Sequence, residues 1–173
     1  MDSFVEYMVK QKKKGIAIVK SILIFIAALI VSLLIAAIIL VFFPVALSAL
    51  PLAVAALFYG AYRVVASYDV EFEYILTKGE LDFDKITHRK KRKRMITIHS
   101  KSFIAFGKVG DVGDERLDKK EFARIIDASA NSSVHQDYYA VFFKNGQKIK
   151  LIFNPTQKMI DIFRVYCPRV IGE

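Results

Sequence analysis

The sequence has one cysteine and no tryptophan, and 42 consecutive positions carry no charged side chain. Because Cys167 is alone, no intrachain disulfide can form, and nothing indicates an oxidising compartment or a structural zinc site. We expect Cys167 to be a buried or interfacial thiol. The uncharged stretch runs between Lys20 and Arg63. It is longer than any buried helix that a soluble protein of this size requires, so it predicts a membrane segment.

The uncharged stretch is long enough for two crossings. Residues 21–43 would form a helix about 34 Å long, which spans a hydrocarbon core with little tilt. Pro44 interrupts this run, and Ser48 with Pro51 provides a cap and a first-turn proline for a second helix over residues 48–66. A cleaved signal peptide is the alternative, but the apolar core of a signal peptide is only about 7–15 residues long. The first apolar run here is far longer and is followed by a second one. The sequence therefore predicts a transmembrane helical hairpin over residues 15–67.

The charges that flank this segment predict its orientation. Five lysines precede the first crossing, Arg63 lies in the last turn of the second, a basic run follows later, and the link between the crossings is uncharged. The five lysines are Lys10, Lys12, Lys13, Lys14 and Lys20. By the positive-inside rule, we expect a multi-pass protein of the plasma membrane with both termini in the cytoplasm. Within the crossings no Asp, Glu, Lys, Arg or His occurs before Arg63, which argues against ion-coupled or proton-coupled transport.

Small residues recur every four positions on both predicted helices, and such faces let helices approach closely in lipid. They are Ala28, Ser32 and Ala36 on the first helix, and Ala56 and Gly60 on the second. These faces would join the two helices, or bind a membrane protein partner or a second copy of the chain. The alternative is that alanine is simply common in membrane helices.

Residues 1–14 allow two interpretations. Phe4, Val5, Met8 and Val9 fall at helical spacing, which predicts a short amphipathic helix in the cytoplasmic interface. An unstructured tail is the alternative.

Residues 68–173 have the alternating pattern of a β domain. Val70, Phe72, Tyr74 and Leu76 share one face of a half-buried strand. Lys78-Gly79 and Asn145-Gly146 predict two hairpin turns. In all, the pattern predicts seven strands, over residues 70–77, 81–84, 95–100, 103–106, 121–128, 138–143 and 148–153. A glycine-rich loop over residues 107–120 would be mobile, and an amphipathic helix after Asn154-Pro155 would end before Pro168.

Four strands, then three, then a closing helix resemble the pleckstrin-homology (PH)-like domain in its bacterial membrane-anchored form, most closely an uncharacterised group of small two-helix bacterial membrane proteins. The junction Tyr74-Ile75-Leu76-Thr77, a glycine turn and a basic stretch leading into a strand also resemble that group. The resemblance implies an α+β protein, in which an N-terminal transmembrane hairpin precedes an antiparallel PH-like barrel or sandwich with a C-terminal capping helix. Lipid-binding eukaryotic members carry a tryptophan in the closing helix and basic residues in the first hairpin loop. This sequence has neither, so phosphoinositide binding is not implied.

Six consecutive cations are the clearest candidate site. They are Arg89, Lys90, Lys91, Arg92, Lys93 and Arg94. Near an anionic membrane each cation contributes about 1 kcal/mol, so the run predicts contact with anionic phospholipid headgroups or an anionic partner. The alternatives are a solvated loop or a signal that only fixes topology. No aromatic residue is interleaved with the cations, which argues against binding of single-stranded nucleic acid.

Other chemistry finds little support in the sequence. His88, His99 and His135 have no cysteine or paired carboxylate at ligand spacing, so no metal site is predicted. No nucleophile and base, acid pair or cofactor motif is recognisable, so we expect neither catalytic residues nor a cofactor. The preferred hypothesis is a non-enzymatic, membrane-anchored binding module. The alternatives are a structural subunit of a larger membrane complex, and an enzyme or transporter of unrecognised type.

Overall fold

The computed structural model describes residues 4–13, 15–132 and 135–171, except for the side chains of residues 119 and 171. The chain forms two compact units. One is helical and takes residues 13–69, and the other is a β unit that takes the chain up to Lys12 and from Val70 onward. The predicted domain boundary at residue 68 therefore misses the first part of the β unit.

The helical unit contains α1 (Gly15–Phe42), a 3-10 helix (Pro44–Ala49) and α2 (Leu50–Ala66). The predicted break at Pro44 is confirmed, because Phe43 has the non-helical angles φ −139° and ψ 57°. A proline sterically pushes the residue before it out of the helical region. The predicted start at Ser48 is wrong, since that residue lies in the 3-10 helix and α2 has no side-chain cap.

Helices α1 and α2 contact each other, and the side chains that are buried on both helices are small. On α1 these are Ala28 and Ser32, as the spacing predicts, while on α2 they are Ala61 and Ala66. Ala56 and Gly60 are exposed. Four-residue spacing identifies a stripe of small residues without showing which way it faces. Ala56 and Gly60 do not join α2 to α1, and their contact with a partner or a second copy stays a prediction.

Eight strands make up the described part of the β unit, followed by a closing helix. The strands are β1 (Phe4–Lys10), β2 (Val70–Thr77), β3 (Glu80–Thr87), β4 (Lys91–His99), β5 (Phe103–Lys108), β6 (Arg124–Asp127), β7 (Tyr138–Lys144) and β8 (Gln147–Phe153). Helix α3 (Val112–Glu115) and a 3-10 helix (Lys119–Glu121) precede β6, and α4 (Gln157–Tyr166) and α5 (Pro168–Ile171) follow β8.

The strands form two four-stranded sheets. The first sheet is antiparallel in the order β1-β2-β3-β4. The second has the order β5-β7-β8-β6, with β6 parallel to β8. Fully buried side chains from both sheets and from α4 form one core, among them Tyr74, Phe83, Phe153 and Phe163. The described residues thus form a sandwich rather than a closed barrel, with the predicted helix capping it.

Strand β1 replaces the helix or tail predicted at the N-terminus. It pairs with β2 along its whole length, from Phe4 opposite Thr77 to Lys10 opposite Glu71. Val5, Tyr7 and Val9 also fit an alternating pattern, and a segment this short cannot separate the helical period from the strand period. The helical unit is consequently inserted between the first two strands of the β unit. Residues 1–3 and 14 of the predicted segment lie outside the described residues.

The predicted mobile loop over residues 107–120 instead forms the end of β5, a helical turn and a short 3-10 helix. Leu117 and Val109 from this segment pack against a small cluster of Phe122, Tyr139 and Val141. The strand predicted to begin at residue 121 is therefore shorter, starting at Arg124.

Candidate anion-binding surface

The basic run is divided between a turn and a strand. Arg89 and Lys90 lie in the turn that joins β3 to β4, and the other four cations lie in β4, which begins at Lys91. His88 and Arg89 both have a φ of 53°, and the backbone N–H of Lys90 donates to the Thr87 carbonyl over 3.2 Å. Four of the six cations therefore have side chains fixed to one face or the other by the sheet.

The outer face of the first sheet, turned away from the core, holds a group of carboxylates that we call the acidic face. It consists of Glu71 and Glu73 on β2, and Asp82 and Asp84 on β3. Arg94 makes a forked contact with Asp84, with Nε 2.7 Å from Oδ1 and Nη2 3.2 Å from Oδ2. Its Nη1 lies 2.8 Å from an oxygen of Asp82. Such bidentate contacts hold arginine in a defined geometry.

The other two arginines of the run also meet this face. Arg92 forms an ion pair with Glu73, and its Nε lies 3.8 Å from Asp84 Oδ2. The Nε of Arg89 lies 3.3 Å from Glu71 Oε1. All three arginines of the run are thus neutralised by carboxylates of the same sheet.

Glu73 is the most constrained of these carboxylates. Its side chain is 1% exposed. Burial raises the pKa of Glu73 above its usual value, while the Arg92 guanidinium opposes that shift and the nearby Glu6 carboxyl reinforces it. The acidic face therefore includes a carboxyl group whose charge depends on Arg92.

The lysines of the run have a different environment. Lys91 and Lys93 alternate with the arginines and so lie on the opposite side of β4, where Lys93 is paired with Lys85 of β3. We call Lys85, Lys90, Lys91 and Lys93 the lysine patch. Within the described part of the chain, none of these four side chains has a hydrogen-bond or ion-pair partner. Like charges directly opposite each other destabilise a sheet.

The position of the patch along the sheet follows from strand register. Lys10 is opposite Glu71, Val70 is opposite Thr87, and Thr87 is opposite Lys91. The basic turn, which is residues 88–90 between β3 and β4, therefore lies at the end of the sheet where β1 finishes and β2 starts. The chain leaves this end of the β unit after Lys12 to form the helices, and it returns there at Val70.

Other candidate groups have structural roles. Cys167 is buried, its thiol donates to the Phe163 carbonyl over 3.0 Å, and burial raises its pKa to about 11. A thiol in this state is a poor nucleophile. The described residues contain no group of three metal-ligating side chains. Gly113 lies against the Tyr139 hydroxyl, where an added Cβ would approach to 2.7 Å, so the glycine-rich segment is packed rather than shaped to hold a phosphate.

A cleft of about 420 Å³ lies between β5, β7 and α4. Its lining includes Lys108, Asp111, Tyr138 and Arg164.

The whole chain, residues 1–173, matches the family described as Bacterial PH-like domain (DUF6106). It belongs to this family. No curated protein and no solved structure matches the chain. The match confirms the resemblance drawn from the sequence, and the two sheets with their closing helix agree with it. PH-like domains are generally binding modules without catalytic activity, which is the class of function that membership suggests for this bacterial PH-like protein.

The helical unit of this PH-like protein has the properties of membrane segments. Two helices, Gly15–Phe42 and Pro44–Ala66, are long and apolar enough to cross a bilayer. Only 11% and 6% of their most apolar windows are buried. A core helix of a soluble protein would be mostly buried, so the exposed apolar surface suggests association with a membrane.

Proposed function

We propose that this protein is a non-enzymatic, membrane-anchored binding module, in which α1 and α2 cross the plasma membrane and the β unit contacts anionic phospholipid headgroups through the basic run. The observation that carries the proposal is the register of the first sheet. It places the basic turn at the end where the chain leaves for, and returns from, the apolar helices. Unneutralised cations at that end would meet the negative surface of the inner leaflet.

Strand pairing also supports a double crossing. β1 precedes the helices and β2 follows them, yet the two strands are neighbours in one sheet. This pairing supports an arrangement in which both ends of the helical segment lie on the same side of the membrane, as two crossings would give. The lysines before α1 and Arg63 near the end of α2 favour the cytoplasmic side for both ends.

The proposal is tested with the full chain in lipid nanodiscs. Amide hydrogen exchange over residues 86–91 is compared in zwitterionic discs, in discs that also contain phosphatidylglycerol, and in the latter at high salt. We expect slower exchange on the anionic discs and its recovery at high salt, because salt screens the attraction between charges in contact with solvent. Equal exchange on both kinds of disc would contradict contact with anionic headgroups.

A second candidate function is a structural subunit of a membrane complex, and one observation favours it. Ala56 and Gly60 form a pair of small residues that is exposed on α2, and an added Cβ at Gly60 meets no atom within 4 Å. A helix of another protein or another copy could pack closely there. Gly60→Leu would then abolish co-purification of the partner from membranes, or self-association, without unfolding the chain. Unchanged association would count against this candidate, and Gly15→Leu provides a control on the other helix.

A further inference from the structure

We infer that the two cation types of the basic run have separate roles: the lysine patch binds the phosphates of anionic phospholipids, while the three arginines stabilise the sheet. This inference rests on the proposed function and names the residues that carry it. It adds Lys85, which lies outside the run in sequence, and it removes Arg89, Arg92 and Arg94 from the lipid-binding set.

The arginines are occupied. Arg94 uses three of its nitrogen atoms on Asp82 and Asp84, and Arg92 is paired with a carboxyl group that is almost fully buried. Transferring either guanidinium to a lipid phosphate would leave carboxylates of the acidic face without a partner. The loss would be largest at Glu73, because a charge left unpaired in a buried site is costly.

Among the described residues, the four lysines have no hydrogen-bond or ion-pair partner, and their arrangement is unfavourable without an anion. Directly opposed residues in an antiparallel pair have Cβ atoms about 4.5–5.5 Å apart, so the ammonium groups of Lys85 and Lys93 can reach one phosphate between them. Lys91 is the next residue on the same side of β4, and Lys90 lies in the adjoining turn. One phosphate bound by Lys85 and Lys93 would convert their repulsion into attraction.

The lipid surface is the anion source that the chain favours. The patch lies at the end of the sheet from which the chain continues into α1 and to which it returns from α2. A bilayer presents many phosphates in one plane, so several lysines can be neutralised together. A free phosphate could occupy only one position at a time.

Amine acylation of the full chain in nanodiscs tests the lysine patch directly. We expect acylation of the four lysines to be several-fold slower on discs with phosphatidylglycerol than on zwitterionic discs. Lys158, which is exposed on α4, should react equally on both and serves as the internal reference. Inorganic phosphate added to zwitterionic discs should not slow the reaction, and equal slowing by phosphate alone would overturn the assignment to a lipid surface.

Two matched variants, each lacking three positive charges, separate the roles. One carries Lys85→Gln, Lys91→Gln and Lys93→Gln, and the other carries Arg89→Gln, Arg92→Gln and Arg94→Gln. Slowed amide exchange at residues 86–91 on anionic discs should disappear in the lysine variant, whose melting temperature should equal or exceed that of the wild type. The arginine variant should keep the slowed exchange and melt at a lower temperature.

The outcomes distinguish the two proposals. If the wild type exchanges equally on both discs, lipid contact itself fails. If the wild type is protected and the lysine variant is protected equally, only the division of roles fails. If the arginine variant does not fold, Arg89→Gln is used in its place, because Arg89 is exposed. Lys93→Glu is then used as the lysine variant. Lys93→Glu should lose protection while it removes the repulsion from Lys85.

Discussion

At the scale of single residues, the different environments of arginine and lysine on β4 depend on an irregularity that the sequence does not reveal. The register of β3 and β4 shifts between Phe83 and Asp84, so that Asp84 is paired with Arg94 rather than with Met95. A one-residue shift moves every later side chain to the other face of the sheet. Without the bulge, Arg92 and Arg94 would lie on the side of Lys85. The sequence predicted the six cations as one group because its alternation cannot show this shift.

Glu73 provides a prediction about pH. Its pKa in the folded state lies above the usual value of 4.5, so the unfolded state loses this proton first as the pH rises. Stability from this group is therefore complete at acid pH and decreases as the pH rises from about 4.5 through the raised pKa. Glu73→Gln removes that decrease. We expect the variant to match the wild type at acid pH and to melt at a higher temperature at neutral pH.

Melting of the full chain in detergent across this pH range is the measurement for Glu73. Glu71→Gln is the control, because Glu71 lies on the same face and strand but is paired with the exposed Arg89. A Glu73→Gln variant that melts below the wild type at neutral pH would mean that the ion pair with Arg92 outweighs the cost of burial.

At the scale of elements, the sequence predicted the hairpin turns but not which strand faces are covered by segments distant in the chain. Both predicted hairpin turns are confirmed, since Lys78-Gly79 and Asn145-Gly146 adopt positive φ values throughout, as a two-residue hairpin requires. Lys150 shows the opposite case. The alternation in β8 places it on the outer face, yet it is buried because residues 109–122 cover that face. Periodicity gives the direction of a side chain but not what packs over it.

The ion pair between Lys150 and Asp114 is predicted to hold residues 109–122 against the second sheet. The pair is largely buried, and Lys150 Nζ lies 5.2 Å from the centre of the Tyr139 ring. Lys150→Met would leave Asp114 buried without its cation, which costs about 3 kcal/mol or more. We expect the segment to open, and trypsin to cleave after Arg116 much faster than in the wild type.

Lys148→Met is the matched control for this element. Lys148 lies on the same strand and pairs with Glu121 over 2.5 Å, but that pair is exposed. Exposed pairs contribute about 0–1 kcal/mol, so cleavage in this variant should change little. Equal rates of cleavage for the two variants would show that burial of the Lys150 pair does not fasten the segment.

At the scale of the whole molecule, the helical unit interrupts a β unit that is continuous in space. The sequence predicted both units and the family to which the chain belongs, but it assigned the N-terminal residues to the membrane interface. The misassigned strand matters to the core, because Val9 of β1 is 3% exposed and packs with residues of both sheets. Its partner β2 is fully paired only when β1 is present, since β1 occupies one edge of the sheet.

This interrupted order predicts which fragment of the protein folds alone. A variant in which an Asn-Gly turn replaces residues 12–69 joins Gln11 directly to Val70, in the register that Lys10 and Glu71 already have. We expect it to be a soluble, cooperatively melting monomer. Residues 70–173 alone should aggregate, because the exposed edge of β2 offers unpaired backbone groups and the core lacks Val9. Size-exclusion chromatography with thermal unfolding compares the two. If residues 70–173 fold as stably as the joined variant, β1 adds nothing to the stability of the domain.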